Sequence, residues 1–384
     1  MQVPFSPPSI TDLEIDEVLD TLRSGWITTG PKARQFESEF SHRVQSPAAL
    51  AVNSCTAALA IALKLHGIGP GDEVITSTLT FVSTVNVIEH TGATPVLVDV
   101  EPDTLNIDPS AIREAITPRT RAVIAVHFAG QPVELDQIRA ICDENGLALI
   151  EDAAHAMPAA FDGQPIGGGA NLTAFSFYAT KNLTTGEGGM LTGPSEMIER
   201  ARSLSLHGMS RNAWNRYGKN GQWHYSIEEP GYKCNMSDLQ AAIGLAQLHR
   251  LDDLQARRKC IFDRYDDAFH RWSEFETPVR RARRDHALHL YVLRLQGRLA
   301  GGRDRLIDEL RDAGITTSVH FIPVHRHNFY ETRYRHQPQD FPVANDSFGR
   351  MLSLPLSPAL SDDQIEWVIE RVMAFAQGAV RKSA

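Results

Sequence analysis

The sequence contains few cysteines, and they form no pattern. Cys55, Cys142, Cys234 and Cys260 lie far apart and include no C-x-x-C pair. This spacing argues against a zinc knuckle, a disulfide framework or a thioredoxin-type centre. We predict four reduced thiols, most of them buried.

The chain also lacks a long apolar run and an excess of positive charge. No stretch approaches the roughly 20 apolar residues that cross a bilayer, and the opening MQVPFSPPSI has neither a basic nor an apolar signal region. The 38 lysines and arginines stand against 47 aspartates and glutamates, a net charge of −9. We therefore expect a cytoplasmic protein that binds neither nucleic acid nor a membrane.

Several common catalytic motifs are missing as well. The sequence has no G-x-G-x-x-G after a predicted strand, no G-x-x-x-x-G-K-S/T, no H-E-x-x-H and no G-x-S-x-G. These absences argue against a nicotinamide dehydrogenase, a P-loop NTPase, a zincin and a serine hydrolase.

What the sequence does contain is the pattern of a globular α/β protein. Of its 384 residues, 42% are apolar and 22% are charged, a balance that can bury a large core. Short apolar runs alternate with segments of helical length, which predicts a mostly parallel sheet. The predicted strands are 48–53, 73–77, 94–100, 121–128, 147–152, 173–179 and 188–193.

A second, smaller α/β unit is predicted after a long connecting helix over residues 236–272. Its predicted elements are strands at 289–296 and 316–321, a helix at 303–314 and a capped terminal helix that begins in the SDDQ segment. We predict a large domain of residues 1–260 and a small C-terminal domain of residues 261–384.

One of the lysines fits a covalent role. A lysine that forms a Schiff base needs an unprotonated amine, and therefore a partly desolvated site. Lys181 follows the apolar segment AFSFYA and enters the glycine-rich turn LTTGEGG, where small residues leave space for a bulky cofactor. Taken alone, such a lysine is more often a solvated charge in a loop.

Three further segments carry polar or aromatic residues just after predicted strands, where open α/β sheets bind ligands. Asp152 can pair with a protonated pyridine nitrogen or cap the next helix. Ser54, Cys55 and Thr56 precede a helix, where free amides bind phosphate or form an ordinary helix cap. Phe81 can stack on a flat ring or belong to the core. These three segments and the Lys181 segment occur in chain order, each after its own predicted strand. The combination is much more specific for a cofactor site than any one segment alone.

Segments spread over nearly the whole chain share the pattern of one known family. They are SGWITTGPKARQFESEF, NSCTAAL, GDEVITSTLTFVST, GATPVLVDV, IEDAAHA, FSFYATKNLTTGEGG, GYKCNMSDLQAAIGLAQL and a late VHF followed by His325. With them the chain resembles the sugar aminotransferases of the DegT/DnrJ/EryC1/StrS family, which have the aspartate aminotransferase (type I) fold. The resemblance implies a pyridoxal 5′-phosphate enzyme that moves an amino group onto a nucleotide-diphosphate-linked keto sugar.

The resemblance also implies roles for individual residues. Lys181 corresponds to the lysine that holds the cofactor as a Schiff base, and Asp152 to the partner of the pyridinium nitrogen. Phe81 corresponds to the ring-stacking aromatic residue, and His155 to a position near the cofactor's O3′ that is glutamine in many relatives. The phosphate is expected at Ser54, Cys55, Thr56 and Ser176, with Cys55 in place of the glycine of the usual G-S-G-T or N-S-G-T motif.

Contacts across a subunit interface are implied too. Lys233 and Asn235 fall where relatives bring a residue from the partner subunit to the cofactor phosphate, so we expect a homodimer with shared active sites. The N-terminal segment 1–30 is expected near the substrate. Contacts with the sugar nucleotide are expected from Trp26, Ile27, Thr28, His320, Phe321 and His325.

For the reaction, we expect amination at C4. The segments 205–216 and GYKCN look like those of members that aminate C4 of a 4-keto sugar. The first candidate substrate is dTDP-4-keto-6-deoxyglucose, with glutamate as the expected amino donor. A UDP-linked 4-keto sugar and amination at C3 stay open.

Other functions remain as alternatives. Sugar dehydratases of this fold carry histidine in place of the Schiff-base lysine, and a regulatory relative would bind the cofactor without transamination. A metal site at His286, His289, His320, His325 and His327 matches no common spacing, and we expect no metal. The run Arg280, Arg281, Arg283 and Arg284 fits a solvated loop better than a clamp for the nucleotide diphosphate.

Overall fold

The computed structural model describes residues 1–210 and 225–382. In these residues, strands β1 to β13 are, in chain order, Ala48–Val52, Glu73–Ser77, Thr94–Val98, Thr120–Val126, Ala148–Asp152, Ala160–Phe161, Gln164–Pro165, Leu172–Ser176, Gly189–Gly193, Phe275–Glu276, Arg284–Asp285, Tyr291–Leu295 and Met351–Leu354. Helices α1 to α13 are Asp12–Ser24, Pro31–Arg43, Cys55–Leu65, Ser83–Thr91, Pro109–Ala115, Leu135–Asn145, Ser195–Ser205, Asp238–His249, Leu251–Phe269, Arg303–Asp312, Asn328–Tyr334, Pro342–Arg350 and Asp362–Lys382.

The largest sheet has seven strands in the order β1-β9-β8-β5-β4-β2-β3. The pairs β2·β3, β2·β4, β4·β5 and β5·β8 are parallel, whereas β9 runs antiparallel to both β1 and β8. The predicted mostly parallel sheet is therefore confirmed. Each predicted strand between residues 48 and 193 has its counterpart in this sheet.

Both faces of this sheet are covered, which explains why its strands are largely apolar. Successive residues of a strand point to opposite faces. In β4, Val123 and Ala125 pack in the same cluster as Phe36 of α2, and Ala122 and Ile124 in the same cluster as α3. Parallel sheets buried on two sides have near-continuous apolar strands for this reason.

The second unit has a three-stranded antiparallel sheet in the order β10-β12-β13. Its core contains Tyr265 of α9, Leu306 of α10 and Val368 of α13. Val3 belongs to the same core, and its amide donates to the carbonyl of Gly314 over 2.9 Å. The extreme N-terminus thus packs on the C-terminal unit. The domain boundary at residue 260 stays a prediction, and α9 runs through it.

Two predicted elements of the C-terminal half are wrong. Residues 316–321 form no strand, because their amides bond to different partners: Thr316 to Val3, and Ser318 to Ser353 of β13. The third strand of the small sheet is instead β13. The predicted helix 236–272 is two helices, broken at Arg250 (φ −95°, ψ 0°), whose guanidinium bonds to Glu14 and to the Ser9 carbonyl.

No helix in the two described ranges is both long and apolar enough to cross a membrane. All four cysteines are free; Cys142 and Cys234 are buried, Cys55 is half-buried and Cys260 is exposed.

Candidate active site

A cavity of about 360 Å³ lies against the carboxyl end of the large sheet, beside the end of β5 and the start of α3. Residues from the N-terminus and from the C-terminal unit, among them Phe5, Ser6 and Leu356, also line it. The cavity gathers most of the predicted site residues: Ser54, Cys55, Thr56, Phe81, Asp152, His155, Ser176, Lys181, His320 and Phe321.

Asp152 ends β5 and is buried, with 3% of its surface exposed. The Thr84 hydroxyl donates to its Oδ2 over 2.8 Å, and the Ala154 amide to its Oδ1 over 3.1 Å. Burial raises the pKa of the Asp152 carboxyl, although both hydrogen bonds and the charge of Lys181 oppose the rise. The result is a rigidly held carboxylate that would be stabilised by a cationic partner in the cavity.

Lys181 lies beyond the end of β8, where its amide donates to the Tyr178 carbonyl over 2.9 Å. Its side chain is half-buried and lines the cavity. Desolvation lowers the pKa of the Lys181 amine to about 8, even though the negative charge of Asp152 acts in the opposite direction. A sizeable fraction of the amine is therefore unprotonated near neutral pH, as a nucleophile or a proton acceptor requires.

The start of α3 forms one wall of the cavity. Ser54 caps the helix, its Oγ accepting from the Ala57 amide over 3.1 Å, and the amides of the first turn have no acceptor within the helix. A Cβ on Gly189 would lie 2.6 Å from the Cys55 nitrogen, so glycine lets β9 pack directly on this helix end. Such a helix start binds phosphate, with Ser176 on the same cavity.

The aromatic wall of the cavity is built around His155. Its ring stacks on Phe321 at 5.7 Å between centroids, and the ring of His289 lies 4.5 Å away on centroids. His155 Nδ1 is buried and has no hydrogen-bond partner within the chain, and burial holds the pKa of the ring well below its usual value. Phe81, which is 57% exposed, lies 5.8 Å from Phe321.

Five of the predicted residues form an exposed cluster outside this cavity. We use that name for Trp26, Ile27, Thr28, Lys233 and Asn235, none of which lines the cavity. Lys233 donates to Asn235, and Asn235 Nδ2 donates to Thr29 Oγ1 over 2.5 Å. Trp26 and Ile27 are 44% and 51% exposed.

The loop that carries Trp26 is held by the first residue of α8. Asp238 accepts from the amide of Gly30 over 2.7 Å, and its own amide donates to the Thr28 carbonyl over 3.1 Å. A Cβ on Gly30 would lie 2.0 Å from Trp26 Nε1. The exposed cluster is therefore fixed in place: Asn235 is half-buried, and the other four residues are exposed.

The two substrate-binding histidines predicted in the C-terminal unit differ in their surroundings. His320 lines the cavity and bonds through Nδ1 to the Ser353 hydroxyl over 2.8 Å. His325 is 1% exposed and lies between Thr78 Oγ1, at 2.6 Å, and Asn345 Nδ2, at 3.1 Å. Its two ring nitrogens are both hydrogen-bonded, and His325 does not line the cavity.

The described residues contain no group of three or more His, Cys, Asp or Glu side chains that could hold a metal ion. The arginine run does not line the cavity, and Arg280, Arg281 and Arg283 are exposed, as a solvated loop requires. Each of the four pairs with a carboxylate: Arg280 with Asp263 and Asp266, Arg281 with Asp103, Arg283 with Asp136 and Asp162, and Arg284 with Glu134. The loop is thus exposed, and these acids fix it on α6, α9 and neighbouring segments.

The segment 205–216 is described only in part. Residues 211–216 lie outside the described residues. Residues 206 and 209 form isolated bridges with Lys233 and Ile227, so the described part lies beside the GYKCN segment.

Sequence reasoning missed the residues that hold the predicted ones. Thr84 fixes Asp152, and His289 packs on His155. Phe5 and Ser6 reach the cavity from a distant part of the chain. Thr84 closes the segment GDEVITSTLTFVST, and Phe5 and Ser6 belong to the N-terminal segment expected near the substrate, but only the folded chain shows these contacts.

The comparisons with known proteins agree with this geometry. The model of the DegT/DnrJ/EryC1/StrS aminotransferase family matches residues 8–373. The spore coat polysaccharide biosynthesis protein SpsC of Bacillus subtilis is 54% identical over 380 residues, 98% of each chain.

Solved structures with the same fold are sugar aminotransferases. Spr1654 from Streptococcus pneumoniae, described as a sugar aminotransferase and solved in a PLP form, has a TM-score of 0.92 at 37% identity, over 99% of this chain and 100% of that one. DesV from S. venezuelae, in complex with a ketimine intermediate, has a TM-score of 0.87 at 36% identity, over 94% of both chains.

Proposed function

The chain belongs to the DegT/DnrJ/EryC1/StrS aminotransferase family, and we propose that it transfers an amino group from glutamate to C4 of a nucleotide-diphosphate-linked 4-keto-6-deoxy sugar. The first candidate substrate is dTDP-4-keto-6-deoxyglucose. The observation that carries the proposal is the cavity that Lys181, with a pKa lowered to about 8, shares with the buried carboxylate of Asp152.

The cofactor of this reaction is pyridoxal 5′-phosphate, and the residues of the cavity fit it. The first-turn amides of α3 and the Ser54 and Ser176 hydroxyls suit its phosphate. The buried Asp152 suits a cationic ring nitrogen, and the unpaired His155 Nδ1 suits a polar substituent on the ring. Phe81 supplies an aromatic face.

When bound, pyridoxal phosphate supplies an aldehyde that takes up the amino group and a ring that withdraws electrons from the reacting carbon. Asp152 favours the protonated ring nitrogen, because its carboxylate is fixed by Thr84 and the Ala154 amide in a buried site. Lys181 would anchor the cofactor covalently, and its free amine would move the proton to and from the reacting carbon.

The reaction has two halves, and Lys181 serves both. In the first, its amine takes the α-proton of the donor amino acid, which leaves as a 2-oxo acid after water has supplied the new carbonyl oxygen. In the second, the sugar's carbonyl oxygen is replaced by nitrogen and leaves as water, and the same amine returns a proton to that carbon.

The direct test is a two-step assay on the purified protein loaded with pyridoxal phosphate. Addition of glutamate should convert the absorbance of the bound aldehyde to that of the amine form. A panel of nucleotide-linked 4-keto and 3-keto sugars should then regenerate the aldehyde form, and NMR of the product identifies the aminated carbon. Cofactor binding without conversion by any amino donor would support the regulatory alternative and refute the proposal.

A further inference from the structure

The first nine residues run from the C-terminal unit to helix α8. We call residues 3–9 the N-terminal strap. At its start, the Val3 amide donates to the Gly314 carbonyl over 2.9 Å. At its end, the Ser9 carbonyl accepts from Gln247 Nε2 of α8 over 2.9 Å. The strap is therefore held at both ends, each on a different part of the molecule.

The middle of the strap is held by the segment that follows β13. The Leu356 amide donates to the Phe5 carbonyl over 3.1 Å, and the Ser357 hydroxyl donates to the Pro7 carbonyl over 2.6 Å. Leu356 and Ser357 are both buried in the C-terminal unit. Their two bonds flank Ser6 and fix its backbone on that unit.

The side chain of Ser6 reaches the turn that carries Lys181. Its hydroxyl donates to the Thr180 carbonyl over 3.1 Å, and the Leu356 carbonyl lies 3.4 Å from the same oxygen. A serine hydroxyl has one hydrogen to donate, and the closer carbonyl of Thr180 is its main acceptor. Thr180 directly precedes Lys181, so Ser6 connects the C-terminal unit to the turn of the lysine.

The bond from Ser6 fixes one end of the peptide group that joins Thr180 to Lys181. At the other end of this group, the Lys181 amide donates to the Tyr178 carbonyl over 2.9 Å. A peptide group is planar, so bonds to its carbonyl oxygen and to its amide hydrogen together set the orientation of the plane. That orientation limits the directions in which the Lys181 side chain can leave the backbone toward the cavity that it lines.

We infer that Ser6 is a positioning residue for Lys181: its hydroxyl holds the peptide group before the lysine and so ties the lysine turn to the C-terminal unit. A reacting group must be held in a narrow range of positions, and a small displacement slows the reaction. The consequence for amino-group transfer rests on the proposed function, whereas the hydrogen bond concerns the protein alone.

The first experiment measures hydrogen exchange in the protein without cofactor. In Ser6→Ala the Thr180 carbonyl loses its donor, so the turn opens more readily. The Lys181 amide should then exchange about fivefold faster, the effect of one neutral hydrogen bond. Mass spectrometry of a peptide that spans residues 178–184 measures the rate. Ser6→Thr keeps a hydroxyl and should exchange like the wild type.

Ser357→Ala is the matched control for this measurement. It removes the bond to the Pro7 carbonyl, and so loosens the strap next to Ser6, but it leaves the bond from Ser6 to Thr180 in place. Exchange in residues 178–184 should stay at the wild-type rate. An unchanged rate in Ser6→Ala, or an equal increase in Ser357→Ala, would overturn the inference.

The second experiment uses the protein loaded with pyridoxal phosphate and separates positioning from binding. We expect Ser6→Ala to slow the half-reaction at saturating glutamate about fivefold, because a displaced amine transfers the proton less readily. The glutamate concentration that gives half of the maximal rate should not change. Ser6→Thr should restore the rate, and Ser357→Ala should keep it.

A loss in Ser6→Ala that is confined to the affinity for glutamate would mean that Ser6 contacts the donor itself, and would refute the inference. Thermal unfolding of the three variants checks that each is folded. If the wild-type protein shows no half-reaction with any amino donor, the proposed function fails, while hydrogen exchange still decides whether Ser6 holds the lysine turn.

Discussion

The cavity and the exposed cluster differ in how completely one chain builds them. In the cavity, Asp152 receives two hydrogen bonds from its own chain and Lys181 is desolvated by it. In the exposed cluster, Trp26 and Ile27 remain about half exposed. A single chain thus shifts the pKa values of Asp152 and Lys181 by itself. It leaves the apolar side chains of Trp26 and Ile27 in contact with water.

This difference supports the proposed homodimer. Helix α1 adds exposed apolar residues next to the same loop, including Leu13, Leu19 and Leu22. Contiguous exposed apolar surface of this kind is typical of an interface. We propose that a second copy covers it and that Lys233 or Asn235 then reaches the phosphate in the partner's cavity.

The largest expected effect is at Lys181. Lys181→Ala removes both the covalent anchor and the proton carrier, and we expect amino-group transfer to fall by about 10⁴-fold. The measurement is the rate of the half-reaction with glutamate, together with borohydride reduction and peptide mapping of the labelled lysine. Lys259→Ala is the matched control, because Lys259 is an exposed lysine paired with Asp263. Borohydride labelling of any other lysine would contradict the assignment.

Asp152→Asn should have the next largest effect. The amide has the same shape but no charge, so it no longer favours a protonated ring nitrogen, and we expect a loss of roughly 10²–10³-fold in the transfer rate. Glu151→Gln is the control. Glu151 points to the opposite side of β5, where it bonds to His127 over 3.1 Å and to Asn171 over 3.0 Å. Glu151→Gln should mainly lower the free energy of unfolding, with little effect on the transfer rate. Equal rate losses in Glu151→Gln and Asp152→Asn would argue against a special role for Asp152.

The cavity was largely predictable from the sequence, because its main residues follow apolar strands. Local patterning predicts where a strand ends: Asp152 is the last residue of β5, and Ser54 and Phe81 follow the ends of β1 and β2. The strand predicted at 316–321 failed because its neighbours, Val3 and Ser353, come from opposite ends of the chain. His325 carried a motif but is held by Thr78 and Asn345, contacts that only tertiary packing defines.

The pH dependence of cofactor capture tests the desolvation of Lys181. Only the unprotonated amine reacts, so the capture rate of the cofactor-free protein should rise about tenfold per pH unit and level off above the lowered pKa. The pKa of about 8 places this plateau above pH 8. Stopped-flow absorbance measures the rate, with Thr84→Val as a variant that perturbs Asp152 but leaves Lys181 in place. A rate still rising steeply at pH 10 would show that the amine is not desolvated.

Mixed dimers connect the cavity to the exposed cluster. Lys181→Ala lacks the cavity base but keeps Asn235, and Asn235→Ala has the reverse defect. If the sites are shared, one site of each mixed dimer combines the intact Lys181 of one chain with the intact Asn235 of the other. Unfolding and refolding the two variants together should then restore part of the activity. The same mixing with Lys233→Ala decides which of the two residues acts, and no recovery in either mixture would mean that each chain completes its own site.

Cys55 should show the smallest effect, although it lies within the cavity. Its Sγ is 3.9 Å from Asp152 Oδ1, and burial together with the charge of Asp152 raises the pKa of the thiol well above its usual value. The thiol therefore stays neutral and cannot act as a base or a nucleophile at working pH. Cys55→Gly should lower the free energy of unfolding by about 1 kcal/mol, because glycine weakens the first turn of α3, and should change the transfer rate by less than about threefold. Cys55→Ala should keep both the stability and the rate, so a large rate loss in Cys55→Ala would show that the thiol takes part in the chemistry of Asp152.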